Sequence, residues 1–176
     1  MGAVRRTNTH WHYQRNFVIK VRQAQLSDIE AILEIANSLH LDIPEFVWNK
    51  EAFIVKQINN GEYFVAEDSG SITGIMSLRR RQIRQGSSFL SLFQKTKKIS
   101  IETLVVKKEF QRKGTGTQLL EFAKQFTKGK GLTVLHAYSF PEYHIADFYT
   151  KKGFKKLDSH GYYLGRAYDC FEMKLI

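Results

Sequence analysis

The chain has 176 residues, of which 43% are hydrophobic and 13% aromatic, and it carries a formal net charge of +10 at pH 7. This composition excludes a disordered chain, and no run of the sequence approaches the ~18 apolar residues of a transmembrane helix. The single cysteine excludes an internal disulfide framework and a multi-cysteine zinc site. The length and composition predict one globular domain. We expect it in the cytoplasm, because its first residues lack the apolar stretch of a secretory signal. The positive charge favours anionic partners such as nucleic acid, a membrane surface or a polyphosphate.

The first half of the chain predicts a strand, two helices and a β-hairpin that follow an amino-terminal segment. Residues 1–15 read as a tail or an extra strand, and the domain is expected to span residues 16–176. Ser27 with Glu30 matches a capping box at the start of the first helix. The predicted elements are a strand at 16–24, helices at 27–39 and 49–61, and strands at 62–67 and 72–79 that flank a turn at 68–71.

The segment from residue 79 to residue 98 contains seven basic residues and no acidic one. Its glycine, serines and charges predict the end of a strand followed by a mobile loop. The role of this basic loop is left open, because contact with an anionic ligand and simple solvation both fit its composition.

The second half of the chain predicts strands that alternate with helices. Residues 99–107 are rich in β-branched side chains, which is typical of a buried strand. The remaining predicted elements are a helix at 115–127, a strand at 132–138, a helix at 142–152, and strands at 154–157 and 168–176. The order β-α-α-β-β-β-α-β-α-β-β indicates a mixed α/β sheet with one parallel crossover between residues 99–107 and 132–138.

A loop with two glycines joins the buried strand to the helix at 115–127. Glycines at 114 and 116 allow a phosphate to approach the backbone, where the first amides of a helix point outward. Arg112 and Lys113 can add direct charge pairing. The spacing matches neither the P-loop nor the dinucleotide-binding fingerprint, because Leu119 occupies the third glycine position of the latter. The pattern therefore predicts a pyrophosphate site of a third kind.

Two blocks of the sequence resemble the GNAT N-acetyltransferase family. Gln111-Arg112-Lys113-Gly114-Thr115-Gly116 is similar to the family's Gln/Arg-x-x-Gly-x-Gly signature, and residues 146–154 are similar to its Ala-x-x-Tyr-x-Lys-x-Gly-Phe block. Glu142, Tyr143 and His144 stand where many members carry an asparagine. The resemblance covers residues 16–176 and implies a central, mostly antiparallel sheet, flanked by helices, with a parallel strand pair splayed at the cofactor site.

The resemblance implies that acetyl-CoA is the cosubstrate. The pantetheine arm would pair with the central strand as an added strand would, while the glycine loop holds the diphosphate. The cofactor-binding residues implied in this way are Leu104, Val105, Val106, Gln111, Arg112, Lys113, Gly114, Thr115, Gly116, Thr117, Phe148 and Lys151. No metal is expected to take part.

The resemblance also implies direct acetyl transfer to a primary amine in a ternary complex. An alkyl ammonium, with a pKa of about 10.4, must lose a proton before it attacks. Glu102, on the central strand, is the implied general base, and His136 is its rival. Tyr149 is the implied general acid for the departing thiolate.

The acceptor is not readable from the sequence, and neither is the preferred acyl chain length. A small molecule and a protein amine both remain open, and Tyr162, Tyr163 and Arg166 are candidate acceptor contacts. The alternative is a non-catalytic relative that senses CoA or binds nucleic acid through its basic surface. Nucleic acid is disfavoured because no known binding module is present. A homodimer is left open.

Overall fold

The computed structural model describes residues 19–83 and 96–175. The predicted tail or extra strand at 1–15, and residues 84–95 of the predicted basic loop, lie outside the described residues. Four α-helices and eight strands are formed within the described ranges. The strands are β1 (Lys20–Gln23), β2 (Tyr63–Asp68), β3 (Ser71–Ile83), β4 (Thr96–Val106), β5 (Val134–Ser139), β6 (Lys155–Lys156), β7 (Gly161–Tyr163) and β8 (Arg166–Lys174). The helices are α1 (Ile29–Ala36), α2 (Glu51–Asn59), α3 (Thr115–Gly129) and α4 (Ala146–Lys151).

The strands form one sheet in the order β1-β2-β3-β4-β5-β8-β6, with β7 paired to β8. Each described pairing is antiparallel except that of β4 with β5, which is parallel and is connected through α3. The predicted mixed sheet, the hairpin of β2 with β3 and the parallel crossover are thereby confirmed.

The start of the first helix differs from the prediction. The backbone amide of Gln25 donates to the Asp28 carboxylate at 2.8 Å, and a 3₁₀ turn at Leu26–Asp28 precedes α1. The predicted capping box of Ser27 and Glu30 is therefore wrong by two residues. Arg22 explains the shift, because its guanidinium binds Asp28 at 2.7 Å and draws that carboxylate toward β1. The same ion pair lowers the pKa of Asp28.

The basic segment is more regular than predicted at both of its ends. Strand β3 continues to Ile83 and β4 begins at Thr96, with Arg81 opposite Lys98 in the antiparallel register. The expectation of a loop from the end of a strand near 79 up to residue 98 is wrong for these strand residues. Cross-strand backbone hydrogen bonds extend the ladder over these residues.

The carboxyl-terminal part contains a strand that the sequence pattern did not predict. Strand β7 pairs with β8 through a two-residue turn at Leu164 and Gly165, both with positive φ. Left-handed backbone at both central positions is typical of a tight hairpin. The first of these positions holds leucine instead of the usual glycine or asparagine, so the sequence pattern does not indicate a hairpin here. The ring of Tyr168 lies against Gly161, where a Cβ would come within 2.1 Å of it.

The sheet separates two hydrophobic clusters. One face packs against α3 and includes Phe64, Leu119, Leu120 and Phe171. The other packs against α1 and α2 and includes Ile32, Ile54, Tyr63 and Ile75 among its buried residues. Burial of apolar surface on both faces, at roughly 25 cal/mol per Å², stabilises the three layers.

Strands β4 and β5 diverge along their length. The parallel pairing runs from Ile99↔Leu135 to Ile101↔Ala137, whereas β4 continues to Val106 while still paired with β3. The divergence begins at a bulge, because Ser77 lies opposite Thr103 and Leu78 opposite Ile101, which leaves Glu102 as the extra residue. A bulge increases local twist and redirects the side chain that it carries.

Close packing at Gly74 holds α3 against the sheet. A Cβ at this position would meet Thr115 Cγ2 at 3.0 Å, the Val105 carbonyl oxygen at 3.1 Å and Leu119 Cδ1 at 3.2 Å. Thr115 is the first residue of α3, so the glycine sets the distance between the strands and the start of this helix.

We expect Gly74→Ala to lower the free energy of unfolding by about 1–3 kcal/mol, because the added methyl group overpacks this contact. Urea denaturation followed by circular dichroism measures the change. Gly129→Ala is the matched control, since a Cβ there meets nothing within 4 Å. The control is expected to range from neutral to about 1 kcal/mol more stable. Equal effects of the two substitutions would contradict the assignment of this contact.

Candidate functional site

A cleft with basic walls lies at the start of α3 and is called the basic cleft here. Its volume is about 760 Å³. It is lined by Leu104, Val106, Gln111, Arg112, Gly114, Gly116, Thr117, Tyr143, His144, Ile145, Asp147, Phe148, Lys151 and Lys152. Nine of the residues that the sequence analysis assigned to the cofactor are in this lining.

The loop before α3 turns the first amides of the helix toward the basic cleft. Arg112 and Gly114 both have positive φ, 59° and 95°, and the Gly114 carbonyl accepts the amide of Gln118 at 3.0 Å. A Cβ at position 114 would meet nothing within 4 Å, so space does not require glycine there. Glycine is favoured by the left-handed backbone conformation alone. The amides that open α3 lack intrahelical acceptors and carry the positive end of the helix dipole.

The charges of the basic cleft are mostly positive. Arg112 comes from the loop, Lys151 and Lys152 come from the end of α4, and Asp147 is the one acidic residue of the described lining. This arrangement favours an anion with more than one negative charge. Lys152 was not assigned from the sequence, although it is adjacent to Lys151 in the second resembling block.

Three residues assigned to the cofactor lie outside the lining of the basic cleft. Thr115 is buried, and its hydroxyl donates to the Phe110 carbonyl at 3.5 Å. Its backbone amide, rather than its hydroxyl, is therefore the donor that it offers at the start of α3. Lys113 Nζ lies 5.5 Å from the centroid of the Phe110 ring. Val105 lines the next cleft instead.

A second cleft, called the central cleft, occupies the gap between the diverging strands and has a volume of about 470 Å³. Leu104, Val105 and Val106 of β4 line it, and Tyr149 of α4 lines it too. The pairing of β4 with β5 stops at Ile101, so this edge of β4 is open to an extended ligand. Gln111 Nε2 donates to the Val106 carbonyl at 3.1 Å and occupies the last of these backbone acceptors.

The bulge residue Glu102 lies at the inner end of the central cleft. Its side chain is only 5% exposed. Gln57 Nε2 lies 3.3 Å from one carboxylate oxygen, and Arg79 Nη1 lies 3.4 Å from the other. These two donors hold a carboxylate that is otherwise expensive to bury. Gln57, on α2, was not singled out from the sequence, because its partner is 45 residues away in the chain.

Tyr149 borders the same cleft from α4. Its ring is buried among those of Phe148, Phe154 and Phe171, with centroid distances of 5.0–5.5 Å. Burial raises the pKa of the Tyr149 phenol above its usual range, so the hydroxyl is protonated at neutral pH. Because the Tyr149 phenol is neutral, it can donate a proton but cannot serve as a general base.

A third cleft, the aromatic cleft, adjoins the central cleft and has a volume of about 200 Å³. Eight of its lining residues are aromatic, and Glu102 is its one carboxylate within the described chain. The lining consists of Leu39, Phe46, Trp48, Glu102, Tyr138, Ser139, Phe140, Tyr143, Tyr162, Tyr163 and Tyr168. Tyr162 and Tyr163 were proposed from the sequence as acceptor contacts, and both line this cleft.

The three clefts share lining residues and form one groove. Glu102, Tyr138 and Ser139 border both the aromatic and the central cleft. Leu104 and Val106 border both the central and the basic cleft. The groove therefore runs from the basic cleft, along an open strand edge, past Glu102 and Tyr149, to the aromatic cleft.

Two other candidates from the sequence lie away from this groove. Arg166 pairs with Glu142, and that ion pair lowers the pKa of the Glu142 carboxyl. His136 is buried on β5 with Nε2 3.4 Å from Glu172 Oε2. It is absent from the described linings of all three clefts.

A family model described as an acetyltransferase (GNAT) domain matches residues 59–156, which is more than half of the chain. The chain belongs to the GNAT acetyltransferase family. No curated protein matches it at a significant level. The matched residues include β3, β4, α3 and α4, and thus both the glycine loop and the strand edge of the groove.

Solved structures share the GNAT fold with this chain at low sequence identity. Ard1 from Thermoplasma volcanium has a TM-score of 0.69 at 17% identity, covering 90% of this chain and 98% of that one. PaiA N-acetyltransferase from Thermoplasma acidophilum, in complex with coenzyme A, has a TM-score of 0.67 at 19% identity, covering 89% and 98%. YncA from Salmonella typhimurium, with its cofactor acetyl-CoA, has a TM-score of 0.60 at 22% identity, covering 90% and 94%.

Within residues 19–83 and 96–175, no helix is long and apolar enough to cross a membrane. No three histidine, cysteine, aspartate or glutamate side chains gather there as a metal-ligand set.

The buried His136 predicts a specific acid dependence of stability. Burial and the nearby Lys98 lower the pKa of its imidazole below the ordinary 6.5, against a smaller opposing effect of Glu172. The unfolded state therefore binds the proton more readily, and the contribution of neutral His136 to stability is present above about pH 6.5 and is lost as pH falls below it.

We expect the difference in unfolding free energy between the wild-type chain and His136→Gln to shrink as pH falls from 7.5 to 5. Urea denaturation at four or five pH values measures it. A difference that is constant over this range would show that His136 titrates alike in the folded and unfolded states.

Proposed function

We propose that this chain transfers an acetyl group from acetyl-CoA to a primary amine, by direct transfer in a ternary complex. The observation that carries the proposal is the continuous groove. It joins a basic anion site at the start of α3 to an open strand edge, and then to a buried carboxylate and a protonated phenol. A non-catalytic CoA-binding protein needs the first two of these features but has no use for the last two.

The residues present fit acetyl-CoA along the whole groove. The amides at the start of α3, with Arg112 and the lysines of α4, would hold the diphosphate. Leu104, Val105 and Val106 would offer backbone groups to the pantetheine arm. Acetyl-CoA supplies the activated acetyl group as a thioester.

Glu102 and Tyr149 divide the proton transfers between them. Glu102 accepts the proton of the ammonium, directly or through water, so that the neutral nitrogen can form its bond to the carbonyl carbon. As the carbon–sulfur bond breaks, Tyr149 donates its proton to the departing sulfur. Gln57 positions the Glu102 carboxylate at 3.3 Å. The nitrogen loses its second proton to solvent as the amide forms. After product release, solvent removes the proton from Glu102 and returns one to Tyr149.

Removing the Tyr149 hydroxyl tests this division of roles. We expect Tyr149→Phe to lower kcat at least ~10-fold, because the thiolate then departs without its proton donor. A thiol-release assay with acetyl-CoA over a panel of primary amines measures turnover. Coenzyme A affinity and the urea midpoint are the controls, and both should stay close to wild type. Unchanged turnover would remove Tyr149 from the mechanism.

The wall of the groove at Gly116 tests the cosubstrate site separately. A Cβ at Gly116 would lie 3.5 Å from the Phe148 ring and 3.7 Å from Val106, inside the basic cleft. We expect Gly116→Val to weaken coenzyme A binding at least ~10-fold because the added methyl groups fill the space for the ligand. Isothermal titration calorimetry measures it, and Gly129→Ala in the same helix is the control. Wild-type affinity in a folded Gly116→Val protein would contradict binding at this loop.

A panel that shows coenzyme A binding but no thiol release with any amine would favour the non-catalytic alternative over the proposed activity.

A further inference from the structure

Resting on the function proposed above, we propose that the acceptor is a small primary monoamine carried on an uncharged aromatic body, bound in the aromatic cleft. The cleft meets the central cleft at Glu102, Tyr138 and Ser139. An amine that enters through the aromatic cleft therefore arrives at the carboxylate with its body still among the rings.

Two of the five tyrosines that line the aromatic cleft bind backbone carbonyls with their hydroxyls and leave their rings to the cleft. Tyr143 donates its hydroxyl to the Leu39 carbonyl, and Tyr163 donates its hydroxyl to the Glu45 carbonyl at 2.6 Å. Trp48 packs edge-to-face on Tyr163, with ring centroids 4.9 Å apart, and on Phe140 at 6.0 Å. Rings fixed in this way offer an apolar, aromatic surface with specific edge-to-face geometry.

The charges in the cleft select against two other acceptor classes. Within the described chain, the lining holds the Glu102 carboxylate and no lysine or arginine. An amino acid would bring its own carboxylate to a lining without lysine or arginine, and the nearby Arg79 already pairs with Glu102. A diamine or polyamine would bring a second ammonium without a second carboxylate, and the net charge of +10 repels polycations at longer range.

The size of the cleft agrees with a small acceptor. Its volume of about 200 Å³ accommodates one ring and a short alkyl chain. Tyr162 is 69% exposed and belongs to the lining, so its ring lies at the solvent side of the cleft. There it can contact a bound aromatic acceptor.

Matched amines test the acceptor class with the full-length chain and saturating acetyl-CoA. The pair 2-phenylethylamine and phenylalanine differs by a carboxylate, and the pair n-butylamine and 1,4-diaminobutane differs by an ammonium. We expect kcat/KM for 2-phenylethylamine to exceed that for phenylalanine at least ~30-fold and that for n-butylamine at least ~10-fold. We expect 1,4-diaminobutane to be no better than n-butylamine.

The possible results separate this inference from the proposed function. Thiol release that is fastest with phenylalanine, with n-butylamine or with 1,4-diaminobutane would overturn the acceptor class while supporting acetyl transfer. Thiol release with none of these amines would overturn both.

Binding to the aromatic cleft has a readout that does not depend on turnover. The chain has two tryptophans, and Trp11 lies outside the described residues, so Trp11→Phe leaves Trp48 as the sole tryptophan. We expect 2-phenylethylamine to change Trp48 fluorescence saturably. Tyr162→Ala in this background should weaken that binding at least ~5-fold and lower kcat/KM for 2-phenylethylamine by a similar factor.

Leu26→Ala is the matched control, because Leu26 is also an exposed apolar residue and lines none of the three clefts. It should leave both values unchanged. A wild-type response in Tyr162→Ala, or no fluorescence change at saturating 2-phenylethylamine, would place the acceptor outside the aromatic cleft.

Discussion

Strand β4 is held by β3 along its whole length but leaves β5 after Ile101, and the groove depends on this divergence. Backbone groups in a sheet interior normally pair on both edges, and an unpaired edge buried away from water is unfavourable. Here the bulge at Glu102 increases the twist of β4 at the point where the parallel pairing stops. The edge that is freed in this way is the one that lines the central cleft.

The same bulge brings the backbone and the side-chain chemistry together. The extra residue in the strand is Glu102, so the irregularity that opens the sheet also turns a carboxylate toward the opening. Gln57 and Arg79 contact the two oxygens of that carboxylate from α2 and from β3. Close packing at Gly74 sets α3 against β3, so that the start of this helix reaches the outer end of the same gap.

The two ends of the groove differ in charge, which the overall charge of +10 does not convey. Cations from the glycine loop and from α4 surround one end, and aromatic rings with a single carboxylate surround the other. Local contacts decide binding at such short range, because screening limits the reach of distant charges to about 8–10 Å.

Much of the architecture follows from local pattern. Alternation in β2 and β3, the β-branched run of β4 and the apolar stripe of α3 lie within a few residues of their predicted positions, because these signals depend on side-chain period alone. The prediction failed where a distant partner decided the outcome. The ion pair of Arg22 with Asp28 favours a cap at Gln25 and Asp28 over the predicted one at Ser27 and Glu30. Pairing with β8 makes a strand of residues 161–163.

The sequence by itself determined the family, the mixed sheet and the glycine loop, since each rests on residues that are close together in the chain. Only the tertiary structure decided that Glu102 is a bulge residue contacted by Gln57. It also decided that Arg166 pairs with Glu142 outside the groove. Finally, it brought Trp48, Phe140 and Tyr163 together in the aromatic cleft. These contacts join residues that are 24 to more than 90 positions apart, and no local period or propensity encodes which distant side chains will meet.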